Sequence, residues 1–236
     1  MPLLDHFRPP LLYPPWTSVP GAWATTLAGR LNRGGMPARL NAVPLAKLGG
    51  GVEIDVAAVR EFDAEWPGPR TGWSPPSARA VAELEAPGGD TFEVQVFYDD
   101  GERTLVAAVE LVSPGNKDRP SAIAAFASKC AAYLLGRVSV AVVDVATVRH
   151  GDLHAAILRE MNLSPEDLLP RPAPLFAASY RGVTEADRLR LEIWAEPLAA
   201  GAAIPTIPLW LGPDLAVPLE LESADVEALE MLGVRP

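Results

Sequence analysis

The placement of proline constrains this chain more than any other feature. Of its 236 residues 25 are proline, about twice the usual share of roughly 5%. Yet none lies between Gly88 and Ser113, and none between Ser121 and Ser164. Proline costs a helix interior about 3 kcal/mol and removes a donor from a strand ladder. The regular core is therefore expected in these two windows, which only Pro114 and Pro120 separate. Residues 1–20, with HFRPPLLYPPW at their centre, read as an extended proline-rich arm packed by Phe7, Leu11, Tyr13 and Trp16.

Within the first window, Phe92–Tyr98 and Thr104–Val112 have the β-branched content of strands, and Asp100-Gly101 between them predicts a two-residue type I′ hairpin. The second window predicts a helix over Ser121–Leu135, a buried strand over Val138–Val145 and a helix over Asp152–Asn162. Upstream, Trp23, Leu27 and Leu31 mark an amphipathic helix over Ala22–Asn32. A strand over Arg39–Lys47 with Pro44 at an edge, a short strand over Val52–Val56 and an irregular loop over 63–79 follow. Downstream come strands at Leu175–Tyr180 and Arg188–Trp194, a proline-punctuated stretch, and a terminal helix over Ser223–Leu232. This order describes a single α/β (α+β) domain over 1–236, with a mixed central sheet containing a hairpin and flanked by helices.

Several function classes drop out. Cys130 is the sole cysteine, so neither a disulfide framework nor a cysteine-rich zinc site is available. No uninterrupted apolar run is long enough to span a membrane, and residues 1–15 lack the apolar centre of a signal peptide. A cytoplasmic protein with no membrane partner is the expectation. The formal charge of −10 argues against a nucleic-acid binder, but it is unevenly spread. Residues 192–236 hold eight acids against Arg235, whereas residues 1–40 hold four arginines against Asp5.

The hairpin gathers polar residues on one face. With a two-residue turn, Asp99 lies opposite Glu102, and Glu93, Gln95 and Glu110 share a face. A solvated face is the plain reading of such residues. Glu110, however, interrupts an apolar run, and a carboxylate on a central strand is costly unless paired, hydrogen-bonded or bound to a cation. Two carboxylates on one face suit a hydrated Mg²⁺. On the following helix, Ile123, Ala127, Cys130 and Leu134 form the apolar stripe, and Cys130 reads as a packed core thiol. Lys129 and Tyr133, four apart, lie together on its flank, where a snorkelling lysine beside a half-buried tyrosine is equally compatible.

The run LVAAVELVSPGNK, Leu105 to Lys117, resembles the E-x-x-S-P-x-N-K signature of a bacterial domain-of-unknown-function family. The opening MPLLDHFRPPL and the ending IPLWLGPDLAVPLELE resemble that family too, so the likeness covers most of the chain. The pattern is also similar to the Uma-type restriction endonucleases of the PD-(D/E)XK nuclease superfamily. That resemblance implies a nuclease-like core over 22–162, an extended arm over 1–20, and a strand-rich extension over 163–236 ending in a helix. It implies a metal-dependent phosphodiesterase acting on nucleic acid, in which Asp55 and Glu110 hold Mg²⁺ or Mn²⁺ and a homodimer is a common assembly. Lys129 and Tyr133 match the helical pair, and Asp144 the acid ending a later strand. Asp55 follows Ile54 and not proline, and position 112 is Val where the superfamily has Lys. The lysine role therefore passes to Lys129 or to Lys117, with Ser113 and Asn116 contacting phosphate or shaping the turn. A non-catalytic descendant acting as a binding or interaction module is the alternative.

Other motifs are unsupported. His150 and His154 lack the glutamate of a zinc-protease helix, no G-x-S-x-G surrounds a serine, and no glycine run has the form of a phosphate-binding loop.

Overall fold

The structure, a computed structural model, describes residues 3–5, 7, 18–34, 36–45, 76–78, 80–84, 96–148, 150–165, 174–185 and 188–234. Among the described residues seven strands form one sheet: β1 (Leu40–Ala42), β2 (Ala80–Leu84), β3 (Val96–Asp99), β4 (Arg103–Leu111), β5 (Ser139–Asp144), β6 (Phe176–Glu185) and β7 (Arg188–Pro197). Their spatial order is β1-β3-β4-β5-β6-β7-β2. Every neighbouring pair is antiparallel except β4 and β5, which are parallel. A parallel pair needs a crossover, and helix α2 (Pro120–Leu135) supplies it.

Alternation along the central strands builds two apolar layers. Val140 and Val142 face one side with Phe126, Cys130 and Leu134 of α2, and with Leu153, Ile157 and Leu158 of α3 (Leu153–Glu160). Ala141 and Val143 face the other, against Trp23, Leu27 and Leu31 of α1 (Ser18–Arg33) and Ala224 and Ala228 of α4 (Leu221–Met231). That second layer also takes Ile207 and Leu209 from a separate two-stranded ribbon, β8 (Ile207–Trp210) with β9 (Ala216–Leu219). β5 is buried along its whole length, which explains its continuous apolar sequence. The result is a mixed α/β fold with a mostly antiparallel central sheet flanked by helices.

Four expectations need correction. First, α1 begins at Ser18, inside the stretch read as an extended arm, because proline is tolerated in a helix's first turn and Pro20 lies there. Second, the hairpin loop has three residues, not two: Asp99 pairs with Arg103, and Phe97 with Leu105. Only Gly101 (φ 109°) takes a positive φ there, whereas a type I′ turn would demand one of Asp100 as well. Third, the pairing shifts again between Val96 and Phe97, so that Val96 meets Ala107 and the register read from the turn does not hold. Fourth, of the strand expected over Arg39–Lys47, the described residues form Leu40–Ala42 alone, before Pro44; Ala46 and Lys47 lie outside them.

The ribbon and β2 were not foreseen. Pro208 pairs with Pro218 across the ribbon. In a two-stranded ribbon each strand is an edge, a setting in which proline need cost no ladder bond. The stretch from 176 onward supplies β6 and β7 to the same sheet as β4 and β5, and α4 packs on α1. Thr26 Oγ1 donates to the Ala224 carbonyl at 2.8 Å, and Trp23 Nε1 to that of Leu221 at 3.2 Å.

One close approach gives a stability test. A Cβ on Gly182 of β6 would lie 2.9 Å from the Leu134 carbonyl oxygen and 3.1 Å from Leu189 Cδ1. The helix end cannot yield as a side chain can. Gly182→Ala is expected to cost about 1–3 kcal/mol, read as a lower urea midpoint at unchanged slope.

Candidate functional site

Two carboxylates of the α2–α3 layer, Glu110 and Asp144, lie at the carboxyl ends of the parallel strands. Glu110 pairs in register with Val142, and Leu111 with Val143. Since Val142 faces α2, Glu110 and, two residues beyond Val142, Asp144 point to that same side. The register also brings Ser113 and the turn after it beside the end of β5.

Glu110 Oε1 lies 2.7 Å from Lys129 Nζ. The Glu110 side chain is 14% exposed and that of Lys129 37%, so the pair sits at the edge of the helix–sheet interface, within reach of solvent. Lys129 Nζ also lies 5.7 Å from the centre of the Tyr133 ring, one turn along α2. Tyr133 itself is buried, and its ring limits where the lysine stem can go. Glu110, Lys129 and Tyr133 are thus brought together. Asp55, Glu93 and Gln95 lie outside the described residues.

Asp144 and Lys117 form a second, wholly buried pair. Lys117 Nζ donates to Asp144 Oδ2 at 2.9 Å and Oδ1 at 3.2 Å, to the Ala146 carbonyl at 3.2 Å and to the Pro174 carbonyl at 3.5 Å. The two side chains are 1% and 0% exposed. Asp144 Oδ1 also accepts from Ala146 N at 3.0 Å. Burial holds the Asp144 carboxyl above the usual carboxylate range, and the Lys117 ammonium pulls the other way. Lys117 reaches this point because Pro114–Lys117 closes a short 3-10 turn. Its geometry comes from Asn116, whose Oδ1 accepts from Ser113 N at 2.8 Å and from Ser113 Oγ at 3.0 Å. Ser113 and Asn116 therefore shape the loop.

A metal centre of the implied kind draws on Glu110 and Asp55. Glu110 suits it: a hard oxygen donor at a partly open edge, beside a part-exposed lysine ammonium whose place on the carboxylate a hydrated Mg²⁺ or Mn²⁺ could take. Asp144 does not suit it, since Lys117 binds both of its oxygens. Among the described residues no group of three or more His, Cys, Asp or Glu side chains is placed to hold a metal ion.

Beneath this edge lies a buried polar group that sequence reasoning did not pair. His154 Nδ1 and Tyr180 OH share a hydrogen bond of 2.6 Å, and Phe176 packs edge-on against the imidazole at 5.9 Å. His154 therefore faces the core, away from any metal shared with His150. Burial lowers its pKa from 6.5 to about 4, opposed in part by the Asp152 carboxylate. Asp152 caps α3 by accepting from Ala155 N at 2.8 Å. Cys130 is fully buried and its thiol is pushed well up, by burial first and then by Glu110, which leaves it inert. The signal that could have revealed the His154 contact was Tyr180 at the end of a fully buried stretch of strand (Phe176–Tyr180), since a buried hydroxyl needs a partner.

The His154 shift fixes a pH dependence. The unfolded imidazole takes up a proton near pH 6.5 and the folded one only near pH 4, so stability is lost as pH falls through that interval. The loss amounts to about 3 kcal/mol at its limit. His154→Gln is expected to flatten this part of the stability profile, measured by urea unfolding between pH 7.5 and 4.5.

Compared with known proteins, the chain matches no family model, no curated protein and no solved structure.

Proposed function

We propose that the chain is a metal-dependent phosphodiesterase of the PD-(D/E)XK nuclease kind, acting on nucleic acid, with Glu110 and Lys129 at its centre. The observation that carries this reading is the 2.7 Å pair between them. A carboxylate on a central strand meets an ammonium from the crossover helix at a solvent-accessible edge, beside the carboxyl ends of two parallel strands. The motif resemblance assigns roles to the same two residues.

Glu110 would hold the metal, with Asp55 as the second carboxylate that the resemblance implies. Bound there, Mg²⁺ or Mn²⁺ would polarise a phosphate oxygen and lower the pKa of a coordinated water. Lys129, freed from Glu110, offers positive charge to a phosphate oxygen as negative charge develops. Tyr133 keeps that ammonium near the sheet edge and limits its loss of entropy. Ser113 and Asn116 hold the turn that follows β4, and Lys117 keeps Asp144 from competing for the metal.

The alternative, a non-catalytic binding or interaction module on the same fold, is favoured by one observation. The lysine of the S-P-x-N-K motif is sealed in a structural ion pair, and position 112 carries a buried valine. Cleavage assays separate the two. Plasmid DNA, single-stranded DNA and RNA are incubated with the full chain and Mn²⁺, beside Glu110→Gln and Lys129→Met. Phosphodiesterase action predicts Mn²⁺-dependent cleavage of at least one polymer that both variants lose. Absence of cleavage of all three polymers, or cleavage indifferent to both substitutions, favours the module.

A further inference from the structure

The Lys117 contacts have the form of a cation coordination shell. Four oxygens surround one positive centre: two from the Asp144 carboxylate, and one each from the main-chain carbonyls of Ala146 and Pro174, at 2.9–3.5 Å. They come from the end of β5, the segment after it and the approach to β6, so the centre ties three stretches of chain together. Ala146 N also donates to Asp144 Oδ1 at 3.0 Å, a hold on the carboxylate that does not depend on the lysine. Gly151 closes over the lysine stem, where an added Cβ would lie 3.4 Å from Lys117 Cβ and 2.9 Å from Ile123 Cδ1. An ammonium offers three donors and no acceptor, and these oxygens supply acceptors alone. Carboxylate plus carbonyl oxygen is the donor chemistry of hard cations, and 2.9–3.5 Å is longer than the roughly 2.0–2.6 Å of Mg²⁺ or Ca²⁺, which suits a larger monovalent ion.

We propose that Lys117 is a tethered cation: its ammonium fills a four-oxygen cation site at the end of β5, and that site will take a free monovalent cation, ammonium or potassium, once the side chain is removed. The chain thus carries its own counter-ion at Asp144, covalently held and independent of the medium. This inference does not depend on the phosphodiesterase reading, because it concerns the neighbouring pair and no catalytic step.

Chemical rescue tests it. The full-length Lys117→Ala variant is melted in ammonium chloride, potassium chloride and choline chloride at equal ionic strength. Choline is a cation too large for the site. The wild type and the Lys117→Ala/Asp144→Asn double variant serve as controls. The expected result is a saturable rise in the melting temperature of Lys117→Ala, about 3–6 °C at tenfold excess over the dissociation constant, in ammonium or potassium and not in choline. Neither control should show it. If Lys117→Ala cannot be purified folded, refolding yield in the same three salts is the readout, with the same ranking expected. Equal behaviour in the three salts overturns the proposal, as does a cation effect of the same size in the wild type or the double variant. A MnCl₂ arm adds a further discrimination: rescue by Mn²⁺ alone, without ammonium or potassium, would make the site divalent and overturn its assignment as a monovalent one.

Discussion

Asp144→Leu lowers the unfolding free energy by about 3–5 kcal/mol, the cost of leaving a buried charge without its partner. The Lys117 ammonium would keep only the Ala146 and Pro174 carbonyls. These satisfy hydrogen bonds but do not cancel a full charge in a site 1% exposed. Lys117→Met fails for the mirror reason, leaving a carboxylate with only Ala146 N beside it. The double variant Lys117→Met/Asp144→Leu removes both charges and is expected to recover most of the loss, since a buried ion pair is often no better than apolar residues of similar volume. Urea unfolding of the four proteins closes a thermodynamic cycle whose coupling term measures the pair. Additive single effects would show that the two side chains do not depend on each other.

The second large effect concerns activity and not stability. Glu110→Gln and Lys129→Met are each expected to reduce Mn²⁺-dependent phosphodiester cleavage by about 10²–10³-fold. The double variant should fall little further, because groups that act as a unit are not additive. Lys129→Met should cost less stability than Lys117→Met, since Lys129 is 37% exposed and Glu110 14%, so water at the edge can solvate the carboxylate in part, whereas the Lys117–Asp144 pair is sealed. That contrast would separate the two lysines, with Lys117 holding the fold and Lys129 serving the proposed site. A Lys129→Met protein that loses several kcal/mol would place this lysine with Lys117 instead.

Much of this architecture was legible in the chain, and for identifiable reasons. The proline-free windows contain β4, α2, β5 and α3, because proline is excluded by the same hydrogen bonds that make those elements. The stripe Ala127, Cys130 and Leu134 is the buried face of α2. Lys129 on the flank of that stripe reaches the sheet, as its spacing from Tyr133 suggested. The hairpin register was not legible, because it depended on one φ angle at Asp100 and on a bulge between Val96 and Phe97, neither of which leaves a residue signature. The β8–β9 ribbon was hidden by its prolines, which ordinarily argue against strands and are tolerated here only because both strands are edges.

The pairing of Lys117 with Asp144 was within reach of sequence reasoning. A carboxylate ending a fully buried strand requires a cation, and Lys117 sits in the turn leaving the strand parallel to it. What was missing was the parallel register, which sets that turn beside the end of β5. The uneven charge also finds a partial explanation. Arg30 and Arg33 of α1 meet Glu220 and Glu227 at the C-terminal end, at 2.5–3.5 Å. The basic N-terminal and acidic C-terminal stretches thus neutralise each other in part, and the overall −10 describes no single face of the molecule.

The central claim is that Glu110 anchors a divalent cation beside Lys129. Calorimetric titration of Mn²⁺ into the wild type and into Glu110→Ala tests it most directly, with circular dichroism to establish that the variant is folded. The account predicts saturable binding to the wild type and its loss in the folded variant. No binding to the wild type, or equal binding to both proteins, would contradict it.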